Sequence, residues 1–195
     1  DLGFTSSYES EFTDLAAFGE LTWHVTDAWQ FTVGARFFKQ ELDASLRQTL
    51  PYCGAGCSDD GLDPNGLTNA SSDSEFDDQI FKFNTSYDFA EDQMAYLTVS
   101  EGFRRGGANA LPQLGPFFDP GFAVDYEPDT LLNTELGLKG TLMDNRLSYS
   151  AAVYQITWDD IQLETFNSAG FRGVVNGDEA QSKGLELEAT FAATQ

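Results

Sequence analysis

The sequence predicts an all-β chain that forms one segment of a large antiparallel transmembrane β-barrel, about seven strands with short periplasmic turns and long extracellular loops. Three observations lead there. Apolar and polar residues alternate with period two in run after run, the pattern of strands that are half apolar and half polar. Short and long connections take turns down the chain, as they do where barrel strands cross a membrane and return. Aromatic residues gather beside the short connections, the place of the girdle at a membrane interface.

Composition sets the same frame. The 195 residues include 18 Gly, 17 Phe and 7 Tyr against 2 Met and 1 His, a usage that favours strands joined by turns. No apolar run approaches the roughly 18–20 residues that a transmembrane helix needs. That excludes a helical membrane protein and leaves membrane strands, whose alternation gives only a weak hydropathy signal. The formal charge of −22 argues against a nucleic-acid partner, because phosphate binding needs a basic surface. It suits an acidic soluble protein as well as a barrel with acidic external loops.

The first strand, about 11–26, sets Leu15, Ala17, Leu21, Trp23 and Val25 against Asp14, Glu20, Thr22 and His24. The second, about 29–43, sets Trp29, Phe31, Val33, Ala35 and Phe37 against Gln30, Thr32, Gly34, Arg36 and Gln40. In the third, about 76–90, Phe81, Phe83, Tyr87 and Phe89 oppose Lys82, Asn84, Ser86 and Asp88. The fourth, about 93–103, places Ala95, Leu97 and Val99 opposite Tyr96, Thr98 and Ser100. The fifth, about 130–141, opposes Leu132, Leu136 and Leu138 to Asn133, Glu135 and Lys139. The sixth, about 146–163, starts cleanly with Leu147, Tyr149, Ala151 and Val153; its phase blurs at Tyr154–Trp158, where a bulge is expected. The seventh, about 182–193, sets Leu185, Leu187, Ala189 and Phe191 against Glu186, Glu188 and Thr190.

Tight turns at 26–28, 90–92 and 142–145 alternate with long polar segments at about 44–75, 104–129 and 164–181. Trp23 and Trp29 flank the first turn, Tyr87 and Phe89 precede the second, and Tyr149 follows the third. Charges stand on the polar face of strand after strand, which a wide barrel facing water or a plug tolerates and a small packed barrel does not. An odd strand number, against the even count of bacterial single-chain barrels, implies a piece of a longer wall, and both ends read as cut. The competing reading is a soluble secreted β-sandwich binding module with acidic, calcium-binding loops. A sandwich also alternates, but it does not usually sort its connections into short and long ends.

Candidate sites lie mostly in the long segments. Cys53 and Cys57 are too few for a zinc site and suit a small disulfide loop, with free thiols as the alternative. Asp59, Asp60, Asp63, Asp73, Glu75, Asp77 and Asp78 fall in a stretch without Lys or Arg; they read as a calcium site or, without EF-hand spacing, as a solvated acidic loop. Arg104 and Arg105 offer planar forks for a carboxylate or phosphate of a ligand or lipopolysaccharide, or else order their own loop. Phe117, Phe118, Phe122 and Tyr126 pack on a ligand or on neighbouring loops. Catalysis has little support. His24 has no paired nucleophile, and Glu186 and Glu188, roughly 7 Å apart on one strand face, are better explained by a polar barrel interior than by a glycosidase pair. No cofactor is implied.

Four motifs, in order over about half the chain, resemble the barrel of TonB-dependent receptors. Glu101-Gly-Phe-Arg-Arg-Gly-Gly-Ala-Asn109 resembles a strand-to-loop junction of that family. Tyr126-Glu-Pro-Asp-Thr130, followed by Asn133-Thr-Glu-Leu-Gly-Leu-Lys139, is similar to its Y-x-P-E … E-x-G-x-K signature. Asn145-Arg-Leu-Ser-Tyr149 through Trp158-Asp-Asp-Ile-Gln162 resembles the next hairpin. Asn176-Gly-Asp-Glu-Ala180 with Lys183-Gly-Leu-Glu-Leu-Glu188 is similar to N-x-G-x-A-x-x-x-G-x-E-x-E. The early Ala17–Leu21 and Thr32–Arg36 fit as well. The resemblance implies a wide plugged barrel in the outer membrane of a Gram-negative bacterium. It also implies uptake of a scarce ligand (an iron-siderophore, cobalamin or a carbohydrate), driven by the TonB complex through a plug domain that this chain lacks. Outer-membrane lipid and lipopolysaccharide would surround the wall. Arg36, Glu135, Lys139, Glu186 and Glu188 are then expected to face the lumen or the plug, because a charge on the lipid face is costly.

Overall fold

The computed structural model describes residues 5–49, 67–111 and 118–193. Cys53, Cys57 and Phe117, with Asp59, Asp60 and Asp63, lie outside the described residues. Seven strands form one antiparallel sheet in simple chain order: β1 (Thr5–Thr26), β2 (Trp29–Thr49), β3 (Leu67–Ala90), β4 (Gln93–Arg104), β7 (Asp129–Leu142), β8 (Leu147–Asp159) and β11 (Ala180–Phe191). Two short ribbons stand outside it, β5 (Gly107–Ala108) with β6 (Asp125–Tyr126), and β9 (Gln162–Phe166) with β10 (Arg172–Asn176). Each inner wall strand pairs with its predecessor and its successor in the wall, with β1 and β11 at the two edges, the up-and-down meander of a barrel wall. No second sheet packs face to face on it among the described residues, so the expected alternative of a sandwich does not hold.

The register makes the faces explicit. Leu97, Leu136, Val153 and Leu185 form one cross-strand row, and Trp23, Phe31, Thr85 and Leu97 connect to it through β1–β4. This belt face leaves large apolar side chains open: Leu136 is 56% exposed, Phe37 53% and Leu187 73%. On β2 the belt runs from Trp29 to Phe37, nine residues, and a membrane strand needs about 9–11. Thr32, Asn84, Thr98, Glu135, Tyr154 and Gly184 line the opposite face.

The tight turns use local devices. Asp92 has φ 57°, and Met143, Asp144 and Asn145 follow one another at 57°, 55° and 65°, a left-handed run that Asn and Asp tolerate better than Met. The Thr141 hydroxyl donates to Asn145 Oδ1 at 2.7 Å and helps to hold that loop.

Strand ends differ from the expected ones at the long-loop end. β1 begins at Thr5, and β2 and β3 continue to Thr49 and back from Leu67, where the sequence reads as a loop from 44 to 75. The alternation persists there with its phase reversed. Beyond Phe37 the belt face carries Lys39, Glu41 and Asp43, while Phe38, Leu42, Ala44 and Leu46 on the opposite face are buried. β8 stops at Asp159, and Asp160, at φ 54°, turns the chain into β9.

The bulge expected at Tyr154–Trp158 is absent: β8 keeps unbroken register with both β7 and β11. The pattern blurs because Tyr154, Ile156 and Trp158 are large residues on the otherwise polar face. Tyr154 covers Gly184, where any Cβ would run into its ring. Trp158 lies under the Arg104 guanidinium, 5.0 Å from the ring centroid.

Candidate functional site

Residues of all four motifs meet at the base of the long connections. Asp129, the first residue of β7, is completely buried. Its carboxylate accepts from Arg104 Nε at 2.8 and 3.1 Å, from the Arg104 backbone N–H at 3.2 Å and from the Gln162 backbone N–H at 3.0 Å. Arg104 Nη2 completes the fork on the same carboxylate, the planar geometry that suits Arg over Lys. The Gln162 side chain donates to the carbonyls of Arg105 (2.7 Å) and Glu127 (3.0 Å). Asn176 donates to Glu127 O and Asp160 O and accepts from Glu127 N–H at 2.8 Å. Three chain segments that leave the wall are thereby tied at one point.

The glycines of the first motif serve this packing. A Cβ on Gly107 would meet the Tyr126 phenol, and one on Gly106 would meet Tyr126 O and the Phe76 ring. Tyr126 therefore lies on its own loop, and burial pushes its phenol pKa up. Phe122 packs against Gly173 of β10, while Phe118 is exposed. Arg105 points elsewhere: it pairs with Asp14 at 3.0 Å and lies 5.7 Å from the centroid of Phe12.

The opposite face of the wall is built around ring-on-glycine contacts. The Tyr96 ring occupies the place of a Gly137 side chain, and its hydroxyl donates to Glu135 at 2.5 Å. Lys139 Nζ lies 4.6 Å from the same ring's centroid. Lys82 reaches across β2 to Glu20 at 2.9 Å, past Gly34, which has no side chain to block the way. Arg36, Glu135, Lys139, Glu186 and Glu188 all lie on this face by register. Arg36 Nε, Gln40 Oε1, Asn133 Oδ1 and Trp158 Nε1 on the same face are buried without a hydrogen-bond partner, and buried polar groups normally have one.

Phe38 and Asn109 make contacts that the strand pattern alone does not reveal. Phe38 stacks on Phe103 with centroids 4.1 Å apart; its only signal is that it follows Phe37 and so breaks the alternation. Asn109 sits in the first motif and is buried. On the belt-face extension, Asp43 stands opposite Asp73 and Glu11, and its hydrogen bond with Asp73 pushes its pKa up. Among the described residues no group of three or more His, Cys, Asp or Glu is arranged to hold a metal ion.

At the loop tips, Asp119 accepts from the backbone N–H groups of Ser168 (2.8 Å) and Gly121 (2.9 Å). The Ser168 amide, then that of Gly121, holds its pKa below the ordinary carboxylate range. A lowered folded pKa means that this contact stabilises above the unfolded value and is lost as pH falls through the folded one. Amide exchange at 168–171, corrected for intrinsic rates, is expected to accelerate below about pH 4. In Asp119→Asn that acid step should vanish; an unchanged step would assign it to another group.

A seven-stranded meander with an apolar belt on one face, charges on the other and long connections at one end is a wall of an outer-membrane β-barrel. The comparison with known families is decisive: residues 2–193 match the family model described as TonB dependent receptor-like, beta-barrel. The chain belongs to the TonB-dependent receptor β-barrel family. Pesticin receptors of Yersinia enterocolitica and Yersinia pestis are 27% identical to it over 177 residues, 91% of this chain and 23% of theirs. The ferric yersiniabactin uptake receptor FyuA from Yersinia pestis superposes with a TM-score of 0.76 at 21% identity, over 98% of this chain and 26% of that one. The closed form of the ferric-catecholate import receptor Fiu from E. coli K12 gives 0.72 at 18%, over 96% and 26%. These likenesses show the shared fold. The chain spans about a quarter of the length of the relatives it matches.

Proposed function

We propose that this chain lines the lumen of a TonB-dependent transporter that takes up a scarce ligand across the outer membrane, with a ferric siderophore as the cargo. One observation carries the reading: an apolar belt lies back to back with a charged face that holds four orphaned polar atoms among the described residues, those of Arg36, Gln40, Asn133 and Trp158. A wall between lipid and a polar filling satisfies both faces, and a plug domain supplies the missing partners. Arg36, Glu135, Lys139, Glu186 and Glu188 then face the lumen or that plug, through which the TonB complex acts. Lipid covers the belt, and lipopolysaccharide meets the charged extension above it. The siderophore class rests on the named uptake roles of FyuA and Fiu, ahead of cobalamin and carbohydrate.

Arg104 has a structural role in this reading, since Asp129 occupies its fork. Arg105, Phe118 and Tyr126 keep a place at the mouth near the cargo's path. The test is uptake of radiolabelled ferric siderophores by cells with and without the receptor gene, each with and without TonB. Uptake that needs both genes supports the proposal. Equal uptake in all four strains overturns the cargo class, and labelled cobalamin and oligosaccharides follow in the same design.

A further inference from the structure

The β4–β7 and β8–β11 connections are separate in sequence, yet besides Gln162 at the root three further side chains join them. At the base, Asn176 pairs with both the N–H and the C=O of Glu127. Midway, Asn109 does the same to Val174 of β10: its Oδ1 accepts from Val174 N–H at 2.7 Å and its Nδ2 donates to Val174 O at 2.8 Å. The same Nδ2 donates to Ala123 O, and the Asn109 backbone N–H donates to Val124 O. At the tip, Asp119 takes the Ser168 N–H. Each Asn amide imitates the donor–acceptor pair of a strand residue, so the ends of the β5–β6 ribbon are joined to β10 where no regular ladder runs between them.

The same unit is seated on the wall. Ala108, Asn109 and Val124 line one small cavity together with Ala44 and Leu46 of β2, the Tyr8 hydroxyl donates to Ala108 O at 3.4 Å, and Ser72 donates to Asp125. The apolar phase reversal of β2 supplies the surface that receives it: Ala44 and Leu46 are 7% and 5% exposed there.

We infer that the described parts of the two connections, residues 105–111, 118–128 and 160–177, form one rigid ledge at the barrel mouth, and that Asn109 is the positioning residue that makes them a single cooperative unit. Opening either ribbon exposes the buried partner groups of the other, so they open together. This stands on the geometry of the mouth and holds whatever cargo the receptor carries. A moving gate must then be sought outside residues 105–111, 118–128 and 160–177.

Hydrogen-exchange mass spectrometry of the native receptor in detergent tests it. In the wild type, peptides covering β5–β6 and β9–β10 are expected to exchange with matching opening rates. Asn109→Ala, which removes three part-buried side-chain hydrogen bonds, should speed both by about tenfold or more, while β4, β7 and β8 stay protected. Asn109→Asp, which retains the acceptor for Val174 N–H but not the two donated bonds, should fall between. If Asn109→Ala fails to fold, Asp119→Ala reads the same coupling at the tips. Acceleration confined to residues 107–111, or opening rates in the wild type that differ by orders of magnitude, overturns the proposal.

Discussion

Arg104→Ala is expected to destabilise the receptor by about 2 kcal/mol, less than the scale for a fully buried ion pair because the Arg104 side chain is 46% exposed. Asp129 is fully buried, and without the guanidinium its carboxylate keeps the N–H groups of Arg104 and Gln162 and the neighbouring Trp158 indole. These neighbours do not replace the charge-assisted fork, and an uncompensated buried carboxylate is costly. Arg104→Lys should recover only part of the loss, since a point charge cannot span both oxygens. The double variant Arg104→Ala with Asp129→Ala should cost clearly less than the sum of the two single changes, because each single change strands the other partner. Urea unfolding of the receptor in lipid vesicles measures all four. Strict additivity would show that the pair is incidental to the fold.

The belt was the most legible feature, because a strand in lipid sees one environment on each face over its whole crossing. Trp29, Phe31, Val33, Ala35 and Phe37 state that period without interruption. The reading failed where the strand leaves the membrane. At Phe37–Phe38 the face that had met lipid begins to meet water, while the other begins to meet the ledge. A period-two pattern whose phase reverses in mid-strand resembles a polar loop, which is why β2 and β3 look shorter in sequence than they are.

The motifs showed a different limit. Asn109, Tyr126, Asp129, Gln162 and Asn176 were all visible as members of a pattern, but their partners lie far along the chain. Arg104 and Asp129 are 25 residues apart, Asn109 and Val174 65. An arginine beside glycines has the chemistry of a ligand contact or of a structural clamp, and only the buried carboxylate decides between them. The motif glycines have the same limit: Gly137 and Gly184 each receive a tyrosine ring from the neighbouring strand, a contact that no spacing along the chain spells out.

The division between the two faces makes the second large prediction. Leu136 lies on the belt face of β7, in a row with Leu97, Val153 and Leu185 and more than half exposed. Leu136→Arg places a guanidinium in hydrocarbon and is expected to cost about 2–4 kcal/mol if the position is near the bilayer midplane. Glu188→Arg introduces the same group on the opposite face of β11, where the described residues hold no salt bridge to Glu188. Facing a polar lumen, it should leave folding into vesicles within about 0.5 kcal/mol of the wild type. Its effect should appear instead in ligand uptake, because reversing a wall charge disturbs whatever docks there. Folding titrations into vesicles separate the two outcomes. A large cost for Leu136→Arg with a small one for Glu188→Arg requires lipid on one side of this sheet and a polar filling on the other. Equal costs would mean that the belt does not meet lipid, and the lumen assignment of Arg36, Glu135, Lys139, Glu186 and Glu188 would fall with it.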